Sequence, residues 1–443
     1  MVNKLLLILI LALCPVRRGL AQNAAPPAPQ SVAAQPLSLD DAVRTALKQH
    51  PSLRETEAAV TAADAEVKQA RALYFPQLSF SSIGKIGLSG ATGALGLPGF
   101  PASPFFRNAA YSVNWYQTVF DLGRIGHIVA SQRAQLKAAE LRKTAEEQRI
   151  VLDVRHAYFS VLEAQRIEQV AEETVRVRSL TVGRARAYYQ GQMGSKLDLS
   201  LAEASLAEAQ GGLIQAQSAI HTSFASLRVA MGADGSQDYV LQPPSFATVT
   251  LQSLEGLVQA GMKNRPDEQA LESKIASLRE NFAFVRSQAF PEVRGFGAGG
   301  QGRFNGTTVK EEQRHGVGAL GMIFPIFTGG RLKAQREEAQ AEVDGAIATR
   351  DELNQQIRLE VTQAYYQLVD LAERIEAAHQ QQQAAQEAVT LAQARYQVQL
   401  GSFLDVLTAE VAATNAETNY TRAQFDYERA KAELDFAMGT SVP

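Results

Sequence analysis

The chain has 443 residues, of which 46% are hydrophobic and 20% charged, with a formal net charge of −3. That balance is globular and excludes wholesale disorder and a bundle of apolar membrane helices. The mild acidity argues against a polyanionic partner, so no nucleic acid is expected.

Residues 1–21 read as a cleavable export leader: Lys4, the apolar run Leu5–Leu13, then Gly19-Leu20-Ala21. Cys14, the only cysteine, lies inside it, and the bulky Leu13 before it disfavours a lipid anchor. Loss of Lys4, Arg17 and Arg18, with no acid in the leader, takes the formal charge from −3 to −6. A Pro/Ala linker is expected over 22–36.

Beyond the linker the sequence is written twice. One offset, 215, relates Leu39 to Leu254, Val43 to Val258, Pro51 to Pro266 and Pro76 to Pro291. A second offset, 207, relates Phe120-Gly123-Arg124 to Phe327-Gly330-Arg331, Ala157-Tyr158 to Ala364-Tyr365, Gly194-Ser195-Asp198 to Gly401-Ser402-Asp405, and Met231-Gly232 to Met438-Gly439. The expected units are 37–232 and 253–439. A repeat that cannot bury its own apolar face is built to be closed by its neighbours.

Each unit opens with a helical stretch, Leu39–Tyr74 or Leu254–Phe290, that runs into Pro76 or Pro291, where proline stops it. Strand alternation follows, strongest over Tyr111–Phe120, where Tyr111, Val113, Trp115 and Val119 alternate with Ser112, Asn114, Tyr116 and Thr118 and only Gln117 is out of phase. Gln77–Gly87, Glu292–Gly299 and Gly316–Phe327 repeat the pattern more weakly, giving strand hairpins at about 77–120 and 292–327 with loop-like connections. Four strands of about ten residues suit a tilted bilayer crossing but cannot close a barrel, so more strands must come from other copies of the chain. Tyr111, Trp115, Tyr116 and Phe120 suit the aromatic girdle of a membrane interface. A soluble sheet that buries those aromatics is the alternative.

Helical hairpins are predicted over about 128–231 and 331–438. The stretches Ile128–Tyr189 and Leu332–Gln399 contain no proline and a single glycine each, Gly183 and Gly345, and at about 1.5 Å per residue each would run roughly 90–100 Å. Each ends at a break, Gln192–Asp198 or Gln399–Asp405, from which a helix of about 35 residues returns. Ser195 with Asp198, and Ser402 with Asp405, fit S-x-x-D helix caps.

Chemistry-bearing patterns are weak. Gly297-Ala298-Gly299-Gly300-Gln301-Gly302 spells G-x-G-x-x-G, but Arg303-Phe304-Asn305-Gly306 follows instead of a helix start, so no phosphate cradle is expected. The six histidines have no metal-ligand spacing. No enzyme activity, catalytic residue, metal or cofactor is expected.

The order of these features resembles the TolC-like outer-membrane efflux proteins: a leader, then twice a short helix, a Pro-led strand hairpin, an F-x-x-G-R entry and a long helical hairpin with A-Y inside and G-S-x-L-D at its turn. The likeness covers nearly all of the chain after Pro36. It implies a mainly α fold with a β membrane part, in which long hairpins build a periplasmic α-barrel and four strands per protomer join a shared β-barrel in a homotrimer. The implied function is a passive outer-membrane export duct of a tripartite efflux or type I secretion system. A periplasmic adaptor and an inner-membrane pump would open it. A secreted or periplasmic coiled-coil scaffold is the rival reading.

The resemblance also assigns residues to a periplasmic gate. Asp198 matches an acid that a Tyr and an Arg of the other helical pair hold, Tyr396 matches that Tyr, and Asp405 matches the first pore acid. The Arg position holds Gly401 and the second pore acid position holds Thr408, which leaves one gate carboxylate per copy where the family has two. Three such acids around one axis would repel each other's charge and attract cations. Gly194, Ser195, Gly401 and Ser402 are the expected adaptor-docking residues. Gln192 and Gln399 stand where the family often has glycine.

Overall fold

The computed structural model describes residues 35–88, 105–233, 239–243, 253–305 and 310–441; the expected leader, Cys14 and most of the linker lie outside the described residues. The duplication is visible element by element. The first unit comprises β1 (Gln35–Leu37), α1 (Leu39–Gln49), α2 (Pro51–Ala72), β2 (Gln77–Leu88), β3 (Phe105–Phe120), α3 (Arg124–Gln190) and α4 (Lys196–Ala230). After β4 (Tyr239–Leu241), the second comprises α5 (Leu254–Asn264), α6 (Pro266–Ser287), β5 (Glu292–Asn305), β6 (Lys310–Ile323), α7 (Arg331–Gln397) and α8 (Phe403–Ala437).

Each opening helix is broken where the sequence pattern runs it through. Pro51 and Pro266 stand at the first turn of a new helix, and His50 and Arg265 before them are extended (ψ 130° and 124°). A proline ring clashes with a helical residue before it, so X-Pro divides the stretch and the second helix starts on the proline. The two Met-Gly pairs lock onto these breaks. Gly232 and Gly439 end α4 and α8 with φ of 61° and 68°, and a Cβ on either would lie within 2.9 Å of the Cα of His50 or Arg265. Only glycine fits both the backbone and the gap.

α3 and α7 each have 67 residues, about 100 Å of helix at 1.5 Å per residue. Each pairs with its 35-residue return helix, α4 or α8. The two largest apolar clusters are centred one on each unit, the first also taking in Phe425 of α8. Val151, Val154, Tyr158, Val161 and Leu227 pack beneath α1, and Ile357, Val361, Leu368 and Leu434 pack beneath α5. Tyr158 explains its motif: its buried hydroxyl donates to the carbonyls of Gln242 and Leu37 at 2.8 and 2.9 Å, tying the parallel β1·β4 pair to α3. Burial pushes its phenol pKa up.

The other four strands form one antiparallel sheet in the order β2-β3-β5-β6. β5 runs on to Asn305, and β6 starts at Lys310 and stops at Ile323, so much of the segment expected to be loop is strand. Pairing from Glu292↔Ile323 to Asn305↔Lys310 supplies the ladder that alternation failed to signal. The register of β3 on β5 shifts between Thr118 and Phe120, next to the out-of-phase Gln117, whose amide donates to the Tyr74 carbonyl at 3.4 Å. That bulge restores the alternation, so Phe120 pairs with Val293.

Candidate functional site

The pleat sorts the sheet into two unlike faces. Cross-strand partners share a face, and the register puts Leu78 with Trp115, Phe80 with Val113, Trp115 with Gly297 and Gly295 with Leu320. Leu78, Phe80, Tyr111, Val113, Trp115, Leu320 and Met322 therefore form one face, and all are exposed. On the other face Ser81, Ser112 and Asn114 join in a hydrogen-bonded chain at 2.9–3.3 Å. Trp115 lies across β5: a Cβ on Gly297 would sit 2.0 Å from its indole nitrogen and one on Gly295 3.0 Å from its ring. Tyr111 closes the same row by donating to Gln301 at 3.0 Å.

Of the four aromatics expected at the membrane boundary, Tyr111, Trp115 and Phe120 fall on the apolar face, Phe120 by way of the bulge. Tyr116 does not. It follows Trp115 directly on the pleat, so it sits on the polar face, with the Arg294 guanidinium 5.6 Å from its ring centre. Among the described residues, edge strands β2 and β6 each have one side without a ladder partner. Two antiparallel steps separate β2 from β5 and a third reaches β6, so the two open edges run in opposite directions.

Sheet and helices meet at a short junction. Arg124, the first residue of α3, pairs with the buried Glu292 at the start of β5 and donates to the Ser287 and Phe290 carbonyls at 3.2 and 3.1 Å. Gly123 precedes it in the left-handed region (φ 85°), and Asp121 accepts the N–H groups of Gly123 and Ile125 at 3.0 and 2.7 Å. The F-x-x-G-R motif is thus a strand-to-helix elbow.

At the far end of the hairpins the two turns are built alike. The Ser195 hydroxyl accepts the Asp198 N–H at 3.0 Å while Asp198 accepts the Ser195 N–H at 3.3 Å; for Ser402 and Asp405 the distances are 3.1 and 2.9 Å. Both are reciprocal capping boxes. Gln192 and Gln399 hold left-handed backbone (φ 59° and 62°), the conformation that favours glycine. Gly194 and Gly401 seat the turns against Tyr188 and Arg395, whose Cβ atoms would lie 3.0 and 3.2 Å from an added methyl group.

Tyr396 stacks between Tyr188 (ring centres 5.7 Å) and Phe403 (5.5 Å). Burial, then the nearby charge of Asp198 and the Tyr188 phenol, push its pKa up. Among the described residues no hydrogen bond joins Tyr396 to Asp198, whose carboxylate is occupied by the cap. Thr408 is exposed and its hydroxyl donates to its own helix, to the Leu404 carbonyl at 2.8 Å. Asp405 is exposed, and its hydrogen bonds from Ser402, helped by Arg395, hold its carboxyl below the usual range.

Two features of the tip escape a reading of the sequence alone. Arg395 supplies positive charge beside Asp405; its signal is its place directly before Tyr396. Exposed apolar side chains also recur in register, Met193 with Leu400 and Leu197 with Leu404, each pair 207 apart, which the duplication makes legible once exposure is known. The G-x-G-x-x-G run lies inside β5 with no helix after it. Among the described residues no group of His, Cys, Asp and Glu is placed to hold a metal ion, and no helix is long and apolar enough to cross a membrane.

Comparison with known proteins gives the same picture. The family model for outer membrane efflux proteins matches residues 42–233 and 257–440. The chain is 25% identical over 411 residues to outer membrane protein OprJ of Pseudomonas aeruginosa, covering 90% of this chain and 83% of that protein. It is 24% identical over 335 residues to outer membrane efflux protein BepC of Brucella suis, covering 75% and 70%. The solved outer-membrane channel OprN superposes with a TM-score of 0.79 at 21% identity, over 91% of this chain and 90% of that one.

Proposed function

The chain belongs to the outer membrane efflux protein family, and from that premise we propose that it works as a homotrimeric duct, opened at its periplasmic tip by an adaptor and an inner-membrane pump. It is an outer-membrane efflux channel with a TolC-like fold and a helical part in the periplasm. The observation that carries the trimeric reading is the sheet. Its apolar face requires lipid, its polar face requires water, and its two open edges cannot be left in hydrocarbon.

Because the edges run oppositely, β6 of one copy continues antiparallel onto β2 of the next. Three copies at four strands each make twelve, and the serine and asparagine face then lines the lumen. The same closure sets α3, α4, α7 and α8 of every copy side by side as a helical wall. The channel itself does no chemistry, so energy and selection come from its partners. The exposed Met193, Leu197, Leu400 and Leu404 around Gly194, Ser195, Gly401 and Ser402 are the adaptor-docking surface in this reading, and Asp198, Tyr396, Asp405 and Thr408 surround the gate.

Detergent extraction of the outer membrane tests the assembly: the expected product is a heat-labile trimer that conducts ions in planar bilayers. A soluble monomer in the periplasmic fraction would replace the duct with the scaffold reading.

A further inference from the structure

Where the sheet meets the helices, its polar face ends in a recess of about 520 Å³. The register fixes which face it opens on. Gln77 pairs with Tyr116 and Thr118 with Arg294, all four line the recess, and their pleat is the one that carries Ser112 and Asn114. In the trimeric duct of the preceding section that face looks into the lumen, at the step from the helical wall to the barrel.

The recess is unequally charged. Three guanidinium groups line it, those of Arg124, Arg294 and Arg331, against the single carboxylate of Glu292. That carboxylate is shared, because it pairs with both Arg124 and Arg294. No acid among the described residues pairs with Arg331, whose guanidinium donates to Gln335 of its own helix at 3.0 Å. The duplication accounts for the imbalance. The offset of 207 places Arg331 on Arg124 and the offset of 215 places Gln77 on Glu292, so the acid that answers Arg124 has an amide as its counterpart. Three cations against one anion leave a formal excess of positive charge in every copy.

Much of the remaining lining is apolar. Phe75 and Phe290, each just before the proline that leads its hairpin, are exposed, as is Ile323 at the end of β6. The Tyr116 ring lies 5.6 Å from the Arg294 guanidinium and steadies it without withdrawing it from water, since that side chain stays 38% exposed. A fixed cation beside exposed rings suits a molecule that carries a negative group on an apolar body.

We propose that the recess is a resting site for amphiphilic organic anions, an aromatic or apolar body ending in a sulfonate or carboxylate, as they leave the helical duct for the barrel. The proposal rests on the trimeric duct, which puts the polar face on the route of transit. Arg294 and Arg331 take the anionic end, and Tyr116 with Phe75 or Phe290 packs against the body. A cation of the same shape meets the excess positive charge, and a small anion lacks the apolar half of the contact.

Equilibrium dialysis of naphthalene-2-sulfonate against the protein extracted in an uncharged maltoside detergent tests the site. The expected result is saturable binding of one probe per protomer, weakened by KCl and not matched by methanesulfonate or by the naphthalene-2-methylammonium cation. Arg331→Gln is the informative variant, because that side chain is exposed and hydrogen-bonds only within its own helix. Its melting temperature should equal the parent's while its dissociation constant rises about tenfold. Arg331→Lys should recover most of the affinity, and Tyr116→Ala should lose it where Tyr116→Phe does not. Unchanged affinity in both Arg331→Gln and Tyr116→Ala, or equal binding of the naphthalene cation, would overturn the proposal. Displacement of the probe by phosphatidylglycerol added to the micelles would make the recess a lipid site and overturn it equally. Gel filtration of the same sample separates the two readings: a trimer that does not bind the probe removes the resting site, and a monomer removes the duct on which it depends.

Discussion

Asp405 is both the cap of α8 and an exposed acid at the tip, and replacing it with alanine would remove both roles together. Asp405→Asn keeps a side-chain acceptor for the cap and discards the charge, so it isolates the gate. The expected outcome is a larger single-channel conductance or weaker block by divalent cations, with a slightly lower melting temperature because the ionised cap is favoured in the fold; identical conductance and block would take Asp405 out of the gate. A different residue tests the turn itself. Gln192 and Gln399 hold left-handed backbone that costs about 1–2 kcal/mol for a residue with a Cβ. Gln399→Gly should therefore slow proteolytic nicking at the tip, whereas Gln397→Gly, within the last turn of α7, offers no such gain; faster nicking in Gln399→Gly would contradict the assignment. The sequence displays these residues but not their pose. S-x-x-D announces both caps because the motif is local. The absence of a Tyr396–Asp198 bond depends on where two helices settle, which no spacing encodes.

The strands show the same division between local and distant information. β3 is readable over Tyr111–Phe120 because its faces differ in polarity, while the far half of β5 is mostly glycine and polar residues and becomes strand only through pairing with β3 and β6. Tyr116 illustrates how one residue of register matters: an aromatic next to Trp115 in sequence lies on the opposite face of the sheet. Adjacent substitutions on β3 test that assignment. Val113→Arg places a cation on the apolar face, at a cost of about 2–4 kcal/mol near the bilayer centre, and should abolish heat-labile trimers in the outer membrane. Asn114→Arg points into the polar face and should leave trimers intact while altering ion selectivity. Equal loss in both variants would show that the two faces are not distinguished by lipid. At the junction, Glu292→Gln leaves the Arg124 guanidinium buried without its acid, and loss of a partner from such a pair costs about 3–5 kcal/mol. Thermal scans of the extracted protein should register that loss, and an unshifted midpoint would assign the elbow to Gly123 and Asp121 alone.

For the molecule as a whole, duplication makes the architecture legible: two offsets locate every long element before any coordinate is known. Burial patterns between the two units are not legible, because α3 and α7 have the same amphipathic texture and each packs on its own return helix, yet only α3 also meets the return helix of the other unit, α8. That packing has a pH signature. Burial holds His156 below its ordinary 6.5, with Glu433 opposing. The unfolded chain therefore binds the proton more tightly, so this contribution is fully present above pH 6.5 and is lost as the pH falls toward the lower folded value. Acidification should lower the melting temperature less in His156→Gln than in the parent; parallel curves would exclude His156 as the source. The open margins of the sheet carry a final consequence for biogenesis. A newly exported polypeptide is adhesive along both edges of its sheet and greasy on one side until neighbouring copies cover them. In the trimeric duct proposed above, covering those margins before the ring closes is therefore expected to limit how much channel is assembled.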